Sequence, residues 1–467
     1  MIFNPKVTEK RQGSFVLPKN ANAVAHPCLD RSVIHEFWHN FTFNASILSL
    51  THSDELIFRI GNTQKAELEE FDYSINIDSY GVCVYAKSEK DLICGFMTLL
   101  DRIRADDIGE ATVAILDCEV IKDFPTIKNR MVHFCVFPET EIWEIQRFVR
   151  LCGALKYTHV VLEFWGMLKY DCMRELAWQS AFTKEQIRPI IKEANDLGLE
   201  IIPMFNHWGH AAASRVRHGK HVVLDQNPRL GYLFNDCGWE WNYKLQEVKE
   251  RFKGVRRELI ELCGEGSYFH LGLDEARGNM DAEYGYSVAE YINEIQTELE
   301  KEGRRAIIWG DMLLSRDEFK NSAEKTEANS KKETADALVN TISKNVIIAD
   351  WQYVITEEKW VTSEYFVNKG FDVVCCPWER IANLRGAYRN TKNLGLMGEI
   401  HTTWHTLYKR FPSMVYSGLL TWGGIEAVSG SSFNLNMYSA ALLRKFCPSD
   451  GSFEDASWTD KTIGPGL

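Results

Sequence analysis

The chain contains no run of about 18 apolar residues, so no segment qualifies as a transmembrane helix. Its N-terminus, MIFNPKVTEKRQGSFVLPK, lacks the apolar core of a secretory signal. No C-x-x-C pair occurs among the 12 cysteines, which removes the common zinc and dithiol redox motifs. Cys83, Cys118, Cys135, Cys263, Cys375 and Cys376 instead sit inside apolar runs, as small buried hydrophobes do. A reduced, cytoplasmic protein is the expectation. Positive charge is also in short supply. Lys and Arg number 53 against 65 Asp and Glu, a net charge of −12. Such a surface repels phosphate backbones and anionic bilayers, so neither nucleic acid nor a membrane is an expected partner.

What is present is an ordinary globular composition, 45% hydrophobic and 25% charged, which excludes a mainly disordered chain. Residues 1–124 form one unit. FDYSINI (71–77) and GVCVYA (81–86) alternate as strands do, and 87–103 carries Ile93, Phe96, Met97, Leu100 and Ile103 at helical spacing. A small α+β domain is expected there.

From residue 125 to 467 the pattern changes to short apolar runs alternating with helical stretches. The expected strands are 130–136, 158–164, 199–205, 267–273, 306–310, 345–351, 371–376 and 396–404. Eight such units predict a (β/α)8 TIM barrel with C-terminal helices. A doubly wound sheet is disfavoured, because no Gly-rich phosphate turn follows the first strand. Residues 315–340 are polar and charged, and read as a solvated excursion without a function. The tail, 449–467, reads as poorly ordered. Trp422 and Glu426, beyond the last strand, belong to a terminal helix or to a contact with another subunit.

Active sites of such barrels lie at the C-terminal strand ends. Trp165, Trp208, Trp309, Trp351, Trp378 and Trp404 fall at or just past six of those ends. A ring of indoles with little Lys or Arg suits a neutral ligand whose C–H faces stack on aromatics, and a sugar fits. In YFHLGLDEAR (268–277) an apolar strand carrying His270 runs directly into Asp274 and Glu275. Adjacent residues at a strand end project differently, so the two carboxylates are able to take separate roles.

The run H-x-G-x-D-E resembles the signature of family 20 glycoside hydrolases, the β-N-acetylhexosaminidases. RMVHFC, beginning at Arg130, resembles that family's first barrel strand. PMFNHWGH (203–210) resembles the segment after its third strand, and the preceding small domain also agrees. The resemblance implies substrate-assisted hydrolysis, in which the substrate's 2-acetamido oxygen attacks the anomeric carbon. Glu275 would then be the general acid and base, and Asp274 would orient the acetamido group. Arg130 would bind the sugar's O3 and O4, and Trp309, Trp351 and Trp404 would wall the acetamido pocket. His210 and Asn206 would lie near it, with Trp378 completing the wall. Tyr353, ahead of Tyr388, would donate to the acetamido oxygen. No cofactor or metal is implied. The expected partner is a small oligosaccharide or glycoconjugate substrate, with the oligomeric state open, a homo-oligomer included.

The chain departs from the family pattern in the Tyr that the family supplies after strand seven, which CCPWERIANLRGAYRN (375–390) does not match and for which Tyr353 or Tyr388 would substitute, and in Asn206, where Asp is usual. It departs at two further places. Phe164-Trp165 stands where an Asp pair usually ends strand two, with Glu163 the nearest acid, and Trp404-His405-Thr406 stands where W-x-E is usual. The last departure leaves the choice between glucosamine and galactosamine open. Three rival readings follow. One is a glycosidase with an enzyme nucleophile, for which Glu399 and Glu379 are the candidates. Another is a carbohydrate-binding protein without catalysis. The third is a metallohydrolase, which rests only on scattered His and acids; His207 and His210, three apart, have no evident third ligand.

Overall fold

The computed structural model describes residues 1–17, 20–24, 26–42, 46–50, 56–60, 68–108, 111–164, 166–211, 224, 227–235, 238–278, 280–320, 326–404 and 410–446. Trp165, His405, Thr406 and the 449–467 tail lie outside them.

The first unit is a mixed sheet. Its strands are β1 (Val7–Val16), β2 (Asn20–Val24), β3 (Ser46–Leu50), β4 (Leu56–Ile60), β5 (Tyr73–Asp78), β6 (Gly81–Ala86), β7 (Arg104–Ile108) and β8 (Ala111–Asp123). They run in the order β1-β8-β5-β6-β4-β2-β3, with β7 paired to β8. The alternation in β5 and β6 puts Tyr73, Ile75, Ile77, Val82, Val84 and Ala86 on the buried face. The helix Glu89–Arg102 covers that face. It starts where the Ser88 hydroxyl accepts the Asp91 N–H, a side-chain cap.

The second unit is a closed barrel of eight parallel strands. They are β9 (Asn129–Cys135), β10 (His159–Glu163), β11 (Glu200–Met204), β12 (Tyr268–His270), β13 (Arg305–Trp309), β14 (Ile347–Trp351), β15 (Val373–Cys376) and β16 (Gly398–Thr402). Helices such as Ile142–Ala154, Lys184–Asp196, Gln246–Cys263 and Ala282–Lys301 return the chain between them. The expected (β/α)8 barrel is what forms, with the α+β sheet ahead of it. Strands buried on both faces read as continuous apolar runs, which is why their sequences stand out. Met131, Val161, Ile202, Ile307, Val374 and Ile400 point inward and pack as the barrel's own core.

The two units meet at the barrel's N-terminal face. Lys156 is buried there between the rings of Phe3 and Trp422 and donates to the Tyr73 hydroxyl. Burial pushes its ammonium down to about 8, against the pull of Asp123. Trp422, on the helix Phe411–Gly423, donates its indole N–H to Asp123 Oδ2 at 2.7 Å. It is therefore an internal joint residue of this chain. The charged stretch beginning at 315 is only partly a solvated excursion. The helices Arg316–Phe319 and Lys332–Thr341 flank residues 326–330, most of which are buried.

Candidate active site

The chain leaves β12 through three residues with left-handed backbone, Gly272 (φ 72°), Leu273 (φ 79°) and Glu275 (φ 48°). Left-handed backbone at two non-glycine residues is costly, and it concentrates at functional sites. Side chains from four directions hold the strained turn. Asn206 Oδ1 accepts the Leu273 N–H at 3.0 Å, and Asp311 Oδ2 accepts the Glu275 N–H at 3.0 Å. Trp239 Nε1 donates to the Glu275 carbonyl at 2.7 Å, and Glu240 Oε1 accepts the N–H groups of Arg277 and Gly278. The main chain around the carboxylate pair is thus fixed before any ligand arrives. Gly272 is required at this turn. A Cβ there would come 1.6 Å from Asn206 Oδ1, in a backbone region that L-residues avoid. Gly272→Ala is expected to destabilise the protein by more than about 2 kcal/mol in urea unfolding, with a parallel loss of any activity.

Asp274 is buried, while the side chain of Glu275 is 41% exposed at the mouth. His210 joins them, its Nε2 lying 3.3 Å from Asp274 Oδ2 and 3.1 Å from Glu275 Oε2. His210 itself has φ 54°, and its ring lies against Trp239, with centroids 4.4 Å apart.

One wall of the site is a continuous aromatic surface. Trp309 at the end of β13 lies 5.6 Å from Trp404 and 4.4 Å from His270, centroid to centroid. The Trp404 indole N–H donates to the Tyr353 hydroxyl. Tyr353 is 5.0 Å from Trp351 and 5.3 Å from Trp378. Asp311 links the wall to the carboxylates, its carboxylate accepting the Trp351 indole N–H at 3.1 Å and the Glu275 N–H at 3.0 Å. His270 is wholly buried, and its Nδ1 accepts the Gly272 N–H, so it shapes the turn from below.

The structure gathers Asp274, Glu275, Asn206, His210, His270, Trp309, Trp351, Tyr353, Trp378 and Trp404 at one end of the barrel. Arg130 is the exception. It is the second residue of β9, at the opposite, N-terminal end of the barrel. Its guanidinium donates to the carbonyls of Ile127, Lys128 and Lys156 and lies 4.8 Å from the Trp422 ring. Arg130 belongs to the joint between the two units and is far from any sugar bound at the mouth. Tyr388 is also remote, beside Gly424 at the foot of the barrel, which leaves Tyr353 as the tyrosine of the site. Trp208 packs outward near Tyr284. His207 turns outward to Arg256, 3.1 Å away, so its ring does not join His210 around an ion.

Asp311 is the residue that the sequence pattern does not single out. It follows Trp309-Gly310 at the β13 end and is 1% exposed. Besides the Glu275 N–H, it accepts Asn329 Nδ2 at 2.7 Å and the Trp351 indole N–H at 3.1 Å. It therefore links the acid's backbone to the aromatic wall. Asn329 comes from the stretch read as a functionless excursion. Burial, reinforced by Asp274 and then opposed by Asn329 and the Glu275 N–H, pushes the Asp311 carboxyl up to about 7. A raised carboxyl stabilises the fold below its unfolded value near 4 and loses that contribution as pH climbs through 7. The stability of the wild type relative to Asp311→Asn is thus expected to fall between pH 4 and 8, by up to about 4 kcal/mol. Urea unfolding of both proteins at the two pH values measures it, and a pH-independent difference contradicts it.

Of the two acids considered as an enzyme nucleophile, Glu399 lies at the N-terminal end of the barrel and Glu379 at the mouth. Glu399 is the second residue of β16, in register with Arg130, and burial pushes its carboxyl up to about 8. Glu379 is ion-paired with Arg410 beside Trp378.

Similarity to known proteins decides the family. Residues 161–414 match the catalytic domain of glycosyl hydrolase family 20. The chain belongs to that family. The matched part of this family 20 chain runs from inside β10 past β16, and so contains Asp274, Glu275 and the whole aromatic wall. Curated relatives are distant. A lacto-N-biosidase from Bifidobacterium bifidum is 22% identical over 275 residues, 54% of this chain and 23% of that protein. A beta-hexosaminidase from Porphyromonas gingivalis is 23% identical over 297 residues, 54% of this chain and 37% of that protein. The chain thus spans less than two fifths of the length of either. Among solved structures, an exo β-N-acetylglucosaminidase from Vibrio harveyi aligns with TM-score 0.68 at 15% identity, over 95% of this chain and 77% of that one. A β-N-acetylhexosaminidase from Bacteroides fragilis aligns with TM-score 0.67 at 17% identity, over 94% and 93%. These structural likenesses bear on the fold of this family 20 member.

Proposed function

We propose that the protein is an exo-acting β-N-acetylhexosaminidase. It releases terminal β-linked N-acetylglucosamine or N-acetylgalactosamine with retention, using the substrate's own acetamido group as nucleophile. The observation that carries this reading is the pair Asp274 and Glu275 on one braced turn, faced by Trp309, Trp351, Tyr353 and Trp404.

In this mechanism Asp274, nearly buried, accepts the acetamido N–H and offsets positive charge as the oxazolinium-like intermediate forms. Tyr353, its oxygen already accepting from Trp404, donates its O–H to the acetamido carbonyl oxygen. The indoles press the acetamido group toward the anomeric carbon and exclude water. Glu275, at the mouth, protonates the departing glycosidic oxygen and then takes a proton from the attacking water. His210, within 3.3 Å of both acids, holds their side chains in these two orientations. The setting proposed is trimming of small oligosaccharides or glycoconjugate fragments in the cytoplasm. In support, the cysteines among the described residues are all free, and no described helix is long and apolar enough to cross a membrane.

The test is a paired assay on chromogenic β-N-acetylglucosaminide and β-N-acetylgalactosaminide, with Asp274→Asn as control. Turnover of at least one that disappears in the variant supports the reading. Binding of N-acetylhexosamine without turnover of either substrate replaces it with a carbohydrate-binding protein.

A further inference from the structure

Inside the barrel, behind the aromatic wall, three donor atoms of different kinds converge. Cys135 and Glu163 are the last residues of β9 and β10 and lie directly opposite each other in the parallel register. His133 is two residues before Cys135, and the period of a strand puts both side chains on the same inward face. All three are buried, at 0%, 0% and 3% exposure for His133, Cys135 and Glu163. Cys135 Sγ is 3.6 Å from His133 Nε2 and 3.5 Å from Glu163 Oε2, and His133 Nε2 is 3.1 Å from Glu163 Oε2.

We propose that His133, Cys135 and Glu163 form a binding site for one zinc ion. Tetrahedral zinc with bonds of about 2.0–2.1 Å to nitrogen, 2.0–2.2 Å to oxygen and 2.3 Å to sulfur separates its ligands by about 3.3–3.6 Å. The three edges of this triangle fall at or close to that range before any adjustment. The donor set is that of zinc: an imidazole, a thiolate and a carboxylate, with the fourth position left to water. Charge also favours it. Without a cation the Cys135 thiol keeps its proton and donates to Glu163; a divalent cation would displace that proton and neutralise the thiolate and the carboxylate together. The usual rival for such a trio is a hydrogen-bonded cluster, in which the thiol and the imidazole both turn to the carboxylate.

The position gives the ion a task. The His133 ring packs edge-on against Trp404 at 4.6 Å and against Trp309 at 5.9 Å. A ligated imidazole has a fixed orientation, so the ion would fix the support on which two indoles of the wall lean. The site joins β9 and β10 across 28 residues of sequence, so no local ligand motif announces it. It involves neither Asp274 nor Glu275, and it stands or falls independently of the glycosidase reading.

The test is metal analysis of the tag-free full chain, stripped with a chelator and then equilibrated with zinc or cobalt(II). The expected result is about one zinc per chain, a Tm that rises by several degrees on zinc addition, and a thiolate-to-cobalt charge-transfer band. Cys135→Ser is expected to abolish the band, and Glu163→Gln to weaken zinc retention at least about tenfold. The wild-type measurements stand alone if either variant fails to fold. A wild-type chain that takes up no zinc and whose Tm does not respond to it overturns the proposal. Equal zinc retention in the wild type and both variants does so too.

Discussion

Glu275→Gln is expected to lower kcat/KM by about 10²–10⁴-fold on a β-N-acetylhexosaminide with a poor leaving group, such as a disaccharide. On a nitrophenyl or dinitrophenyl glycoside the loss should stay within about tenfold, because that leaving group departs without a proton. The contrast between substrates is the informative quantity, since it reads acid assistance and not binding. Stability should hardly move. The turn is braced through the Glu275 backbone, by Asp311 and Trp239, while the half-exposed side chain lies against His210. A change within about 0.5 kcal/mol is expected, as for other exposed positions. Equal losses on good and poor leaving groups would remove Glu275 from the role of acid.

Asp274→Asn is expected to behave differently. Its loss, about 10²–10³-fold, should be the same on activated and unactivated substrates, because orienting the acetamido nucleophile precedes and does not depend on leaving-group protonation. The side chain is buried beside His210, and the isosteric amide keeps the packing while removing the negative charge. A leaving-group-dependent loss would mean that the acid and orienting roles are assigned the wrong way round.

These roles rest on features that the sequence discloses unevenly. The eight strands are legible because each is an apolar run bounded by polar helices, and Asp274-Glu275 is legible because two acids directly follow such a run. The indoles of the wall follow from the same rule, since a Trp at a strand's C-terminal end lies at the mouth. That rule also explains the misplacement of Arg130. The residue precedes its apolar run, which puts it at the N-terminal end of β9, where its guanidinium is bound by three carbonyls. Asp311 escapes detection for the opposite reason. A single acid after Trp309-Gly310 looks like any loop residue, and its importance comes from partners distant in sequence, Glu275, Asn329 and Trp351. Asn329 lies in a polar stretch whose composition signals solvent, while tertiary contacts bury it. Glu240 is similar. It is fully buried among Asn235, Tyr284 and the 277–278 backbone, and only the flanking Trp239 and Trp241 hint at that.

The central claim is that the substrate's acetamido group, and no side chain, is the nucleophile. The most direct measurement is inhibition by the thiazoline analogue of the cyclised N-acetylglucosamine intermediate. If Asp274 and Tyr353 grip the acetamido atoms against the indole wall, the thiazoline should bind competitively and at least about 10²-fold more tightly than N-acetylglucosamine, as intermediate mimics do. That advantage should collapse in Asp274→Asn. An enzyme that hydrolyses the chromogenic substrate but binds the thiazoline no better than the free sugar would contradict the mechanism and require a protein nucleophile.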